Sequence, residues 1–90
     1  MIEPSPHNVM TTLTAIIRKV SPGGHKAAIT EATRLTQDLG LDSVASLELL
    51  SMIDEELGLF LEMEDVVGIE TVGGIFALTM RRLQTLELSA

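Results

Sequence analysis

The sequence predicts an all-α fold: three longer helices and one short one around a single aliphatic core, with a long loop after the first helix. Apolar residues recur at helical spacing in three separate stretches. These stretches are bounded by capping residues at their starts, and the first two by proline or glycine at their ends. The residues that would fill the core are Leu, Ile, Val and Met, with Phe60 and Phe76 the only aromatic side chains in the chain. At 90 residues the chain makes one small domain, taken as 1–90 with an ordered core from about 6 to 86, and its core is thin.

The first helix opens at Ser5-Pro6, serine as N-cap and proline in the first turn. Val9, Met10, Leu13, Ile16, Ile17 and Val20 then keep one face, with Thr11 and Arg18 on the far side. Ser21-Pro22-Gly23-Gly24 stops it. Lys26 to Leu41 is a long connection that Ile29 and Leu35 should pin to the core. A short helical turn over Ala27–Arg34, or a full extra helix there, stays open at this point.

A turn around Gly40 delivers Asp42 and Ser43 to the start of the central helix. Wound at about 100° per residue, Leu49, Leu50, Ile53 and Leu57 fall on one core-facing arc. Val44, Leu47, Glu48, Ser51 and Glu55 lie opposite. That outer face mixes aliphatic side chains with carboxylates, which suits docking better than solvation. Gly58 ends the helix, and Leu59-Phe60-Leu61 is expected to cover one end of the core. Glu62–Val67 allows a turn or two of helix before Gly68. Thr71 then caps a last helix whose Val72, Ile75, Phe76, Thr79, Met80, Leu83 and Leu86 share a face. Gly73 and Gly74 weaken its first turn but allow another backbone or a ligand to come close.

The net charge is −7, from 13 acids and 6 bases. Between Leu35 and Met80 there are Asp38, Asp42, Glu48, Asp54, Glu55, Glu56, Glu62, Glu64, Asp65 and Glu70, and no Lys or Arg. Such a field argues against nucleic acid and for partners with basic patches. There is no cysteine, hence no disulfide framework and no thiolate. The first residues, Met1 to Pro6, lack the basic and apolar regions of a signal peptide, and no apolar run is long enough for a membrane span. A cytoplasmic monomer is expected.

Little in the chain points to catalysis. His7 and His25 sit in polar surroundings and are too few for a zinc site. No phosphate-binding glycine loop is present, and no serine has a base and an oxyanion hole beside it in sequence. Asp42-Ser43 on its own reads first as an ordinary helix cap.

Asp38-Leu39-Gly40-Leu41-Asp42-Ser43-Val44 resembles the Asp-Ser-Leu attachment motif of acyl carrier proteins, with Val in the place of Leu. The preceding Ile29–Leu35, the following helix and acidic run, and Glu70-Thr71-Val72 also fall where that family has them, so that the likeness runs roughly from Val9 to Leu83. The resemblance implies a four-helix bundle of the acyl-carrier type. It implies a 4′-phosphopantetheine arm on Ser43, taken from coenzyme A by a separate phosphopantetheinyl transferase, and acyl groups carried on it as thioesters, with no catalysis by the chain itself. Asp42 carries over as the acid the transferase recognises, Glu48 as an acidic partner contact, and Val44 and Leu47 as apolar contacts; Glu55 joins them on the same outer face. A medium acyl chain would shelter between the central and last helices. The pathway stays open among fatty-acid, polyketide and other specialised biosynthesis. An aminoacyl or peptidyl carrier is a second reading, although the Gly-Gly-His-Ser type of motif is absent. A third is an unmodified helical adaptor for a basic partner.

Overall fold

The computed structural model describes residues 5–22 and 28–89, with side chains through Thr85. Among the described residues there are four helices: α1 (Pro6–Val20), α2 (Ser43–Leu57), α3 (Met63–Val66) and α4 (Val72–Ser89). Three are long and one is short, as the hydrophobic spacing requires.

The Ser5 hydroxyl caps α1 by accepting from the Asn8 amide at 3.2 Å. Val9, Leu13, Ile16, Ile17 and Val20 bury the expected face. At the other end the Ser21 hydroxyl donates to the Ile17 carbonyl at 2.6 Å, and Pro22 prevents continuation. Arg18 and Lys19 lie in the last turn, where a helix dipole favours cations. His25, Lys26 and the Gly23-Gly24 pair lie outside the described residues, as does the side chain of Leu86.

The connection from residue 28 to residue 42 contains no helix, which decides between the alternatives left open by its sequence. It is held by hydrogen bonds instead. The Leu35 amide donates to the Glu70 carbonyl at 2.8 Å, the Val72 amide to Thr33 at 2.9 Å and the Gly73 amide to Glu31 at 2.9 Å. Arg34 and Thr71 form an isolated antiparallel bridge within this set. Ile29 and Leu35 are half-buried against the core, but Leu39 and Leu41 go deeper. The segment therefore satisfies its backbone groups partly against residues 70–73 at the start of α4 and partly in its own turns, where the Asp38 amide donates to the Arg34 carbonyl at 3.1 Å and the Gly40 amide to Thr36 at 3.0 Å. A glycine at 73 makes this approach possible: a Cβ there would stand 3.0 Å from both the Cβ and the carbonyl oxygen of Glu31.

Leu49, Leu50 and Ile53 of α2 enter the core, with Ala45 beside them and Leu57 half-buried. Val72, Ile75, Thr79 and Leu83 of α4 do the same, with Leu78 added and Phe76 and Met80 at the margin. One expectation fails. Leu59 and Leu61 are buried, but Phe60 between them is 68% exposed and covers no core. The segment between Gly58 and Met63 contains no helix, and with Leu59 and Leu61 both turned into the core, Phe60 between them faces outward. Asp65 secures α3: its carboxylate accepts from the Glu62 amide at 2.9 Å and from Arg82 of α4 at 2.9 Å.

Candidate functional site

The site is built at the start of α2. Gly40, at φ 68°, turns the chain in a left-handed conformation. Leu41 is buried, which anchors the entry to the helix, and Asp42 follows in an extended conformation. The Asp42 carboxylate accepts from the Ala45 amide at 2.8 Å, and its carbonyl accepts from the Ser46 amide at 2.9 Å. Ser43 is thereby the first residue of α2, and it is exposed. Its hydroxyl stands where the positive end of the helix dipole and the unpaired first-turn amides favour an anionic phosphate. The residues present thus fit a phosphodiester at Ser43: Asp42 is turned to capping, and the serine is open to another protein.

The outer face of α2 is as apolar as expected. Val44 is 65% and Leu47 55% exposed, and Glu48 and Glu55 are exposed with them. The helix separates these residues into two lines. Val44, Glu48 and Glu55 form one ridge, whereas Leu47 shares a stripe with Ser43, Leu50 and Asp54 at spacings of four, seven and eleven residues.

Two cavities flank that stripe. A narrow one of about 120 Å³ runs inward between α2, α3, α4 and the long connection; Ser46 and Val67 are among its lining, with Leu49, Val66, Ile69 and Ile75 deeper in. An open groove of about 420 Å³ lies between the Leu47–Asp54 side of α2 and the segment from Phe60 to Met63. Leu50 and Met63 line both, so they form the wall between them. The inner cavity lies where the sequence suggested shelter for an acyl chain, between α2 and α4, and its lining draws also on α3 and the long connection.

Electrostatics sharpen the groove. The Glu62 carboxyl is held above the usual carboxylate range, first by a hydrogen bond with the Glu64 side chain, then by desolvation and the nearby Asp65 charge. The Asp65 carboxyl is held below it, chiefly by the Glu62 amide and then by Arg82.

A family profile described as a phosphopantetheine attachment site matches residues 11–78. An acyl carrier protein named MbtL, found in Mycobacterium bovis and in Mycobacterium tuberculosis, is 38% identical over 73 residues, covering 81% of this chain and 86% of the relative. The chain belongs to the acyl carrier protein family. Another member, the acyl carrier protein of Saccharopolyspora erythraea, is 44% identical over 52 residues, or 58% of this chain. The match spans 55% of that relative, little more than half its length. No solved structure matches the chain. Membership of the acyl carrier protein family makes this a carrier rather than a catalyst, with a covalent 4′-phosphopantetheine as its prosthetic group. The group supplies the thiol that a cysteine-free chain lacks.

Sequence reasoning missed the groove. Phe60 faces outward although its sequence neighbours are aliphatic, and no local signal marks it as the exposed one of the three. Asp54 was read only as part of the acidic run, and Met63 not at all.

Proposed function

We propose that Ser43 carries the 4′-phosphopantetheine arm and that the chain delivers acyl intermediates, held on that arm as thioesters, to the enzymes of a biosynthetic pathway. The observation that carries this reading is an exposed serine at the first position of α2, directly after a capping Asp42 and inside the matched segment. Other serines are placed less well. Ser46 is half-buried beside the inner cavity, and Ser51 lies in the interior of α2, away from its N-terminus.

Each neighbour has a part in this reading. Asp42 fixes the helix start, so that the Ser43 hydroxyl keeps one position relative to the docking face. Val44 and Leu47 offer apolar contact to a transferase or synthase, and Glu48 and Glu55 attract basic patches on it. The inner cavity shelters acyl chains of medium length, since their burial stabilises by roughly 0.8 kcal/mol per CH₂. A monomer in a reducing cytoplasm suits an arm that ends in a free thiol.

The test is incubation with coenzyme A and a broad-specificity phosphopantetheinyl transferase, followed by intact-mass and peptide mass spectrometry. Wild type should gain one arm, on the peptide containing Ser43. Ser43→Ala should gain none and keep its helical circular dichroism, because Asp42 still caps α2. Label on Ser46 or Ser51, or label persisting in Ser43→Ala, overturns the assignment.

A further inference from the structure

Thr79 is completely enclosed in the core, and its hydroxyl finds no hydrogen-bond partner among the described residues. Other hydroxyls in the long helices or at their ends solve this problem locally. Thr11, Ser21 and Thr85 each donate to the carbonyl four residues back, at 2.9, 2.6 and 3.0 Å. Thr79 makes no such bond to Ile75. A buried hydroxyl without a partner is costly, and valine would fill the same shape without it. Packing alone therefore gives no reason for a threonine here.

Position supplies one. Ile75 lines the inner cavity, and Thr79 follows it on the core-facing side of α4, about 6 Å further along the helix axis. Thr79 is not itself part of the cavity lining. A chain that stops at Ile75 does not meet it, whereas one that extends the cavity by a turn of α4 does. Met52, Met63 and Met80 pack at the margin of this core, and their flexible side chains allow it to open.

We propose that Thr79 is a specificity residue for oxygenated cargo: its hydroxyl donates to a ketone or hydroxyl oxygen carried part-way along an acyl chain of medium length. The proposal rests on Ser43 as the attachment site and on the inner cavity as the acyl shelter, and it narrows the cargo from fully reduced chains to partly reduced ones. The chemistry discriminates in both directions. A ketone taken into an apolar core loses its bonds to water and needs a donor in return. A saturated chain leaves Thr79 unpartnered. An oxygen on the β carbon, next to the thioester, stays near the cavity mouth by Ser46, so the oxygen that Thr79 reads lies further toward the tail.

The test loads wild type and Thr79→Val with acyl chains of one medium length, one saturated and the others bearing a single ketone at successive carbons. Circular dichroism checks the fold of the variant, and Thr79→Ala serves for the cargo comparison should Thr79→Val not fold. Unloaded Thr79→Val should melt no lower than wild type, since it loses only an unpaired hydroxyl. At a ketone position beyond the β carbon, the thermal midpoint of the keto load relative to the saturated load should be about 4–8 °C higher in wild type than in the variant, the shift expected of one net hydrogen bond in a domain of this size. That keto load should also move the Thr79 amide NMR signal of wild type. Equal midpoint differences in both proteins at every such position, or a Thr79 amide that no keto load moves, overturn the proposal and leave the carrier and its acyl shelter standing. A clearly lower midpoint in unloaded Thr79→Val overturns it too, because the hydroxyl is then already bonded, as it would be by a buried water. Failure of the arm to attach at Ser43 removes both readings.

Discussion

Ser43 and Gly73 show how differently single residues constrain this chain. Ser43 contributes nothing visible to packing, and its role is chemical. Gly73 has no chemistry, and its role is spatial. Gly73→Ala gains helix propensity worth about 1 kcal/mol but drives a methyl against the Glu31 backbone, where overpacking costs about 1–3 kcal/mol. The clash involves a carbonyl that already accepts the Gly73 amide, so it cannot swing aside. The expected net loss is about 1 kcal/mol, read as a drop in thermal midpoint of roughly 4–8 °C. An unchanged or raised midpoint would show that the connection yields easily. Glu48 behaves in the opposite way. It is exposed and outside the groove, so Glu48→Lys should leave the melting curve within about 0.5 kcal/mol of wild type. Association with a basic partner enzyme, followed by surface plasmon resonance, should slow in this variant and lose part of its salt dependence. Loss of helix signal would place the core on the wrong side of α2.

Among the elements, α3 is the least self-sufficient. Four residues cannot sustain a helix in isolation, and none of the four is fully buried. Its attachment to α4 is electrostatic, through Asp65 and Arg82, and the pH dependence of that attachment has a definite sign. The Asp65 carboxyl lies below its ordinary value of 3.8, so its contribution is complete above that value and is lost as pH falls through the lower folded value. Glu62 works the other way. Its carboxyl lies above 4.5, so relative to acid solution it destabilises the fold as pH rises from 4.5 through its raised value. Glu62→Gln should therefore be more stable than wild type at pH 7, with the difference vanishing near pH 4. Arg82→Gln should be less stable at pH 7, with its deficit fading only in stronger acid. Urea midpoints at pH 7, 4 and 2.5 check both orders. Equal responses of the two variants to acid would contradict the assigned contacts.

For the whole molecule, cargo is the sensitive probe. Loading the arm with a medium saturated acyl chain should shift the amide NMR signals of Leu49, Leu50, Ile69 and Ile75, which line the inner cavity. A small amino acid on the same arm should disturb only residues beside Ser43. If neither cargo moves the inner signals, the cavity is not an acyl shelter. The sequence made much of this legible. Helices α1, α2 and α4 follow from apolar spacing and from caps at Ser5, Asp42 and Thr71, all of which are local signals. The exposed Ser43, Val44 and Leu47 follow from the winding of one helix. What could not be read locally was set by distant partners. The connection around Glu31–Leu35 finds its hydrogen bonds on α4, across a gap in sequence that no periodicity crosses. Phe60 faces outward because Leu59 and Leu61 are pulled inward, and only the assembled core decides that register.

The wall formed by Leu50 and Met63 ties the two cavities thermodynamically. A chain entering the inner cavity and a partner's side chain entering the groove would press on the same two residues from opposite sides. Methionine is an adaptable partition, since its unbranched side chain repacks at small cost. If filling one side changes the affinity of the other by some factor, linkage requires the same factor in return. An enzyme seated in the groove would then favour or oppose the retreat of cargo into the bundle by the amount that cargo alters its own docking. Two residues would suffice to make a carrier's readiness to hand over its load a property of which protein it has met.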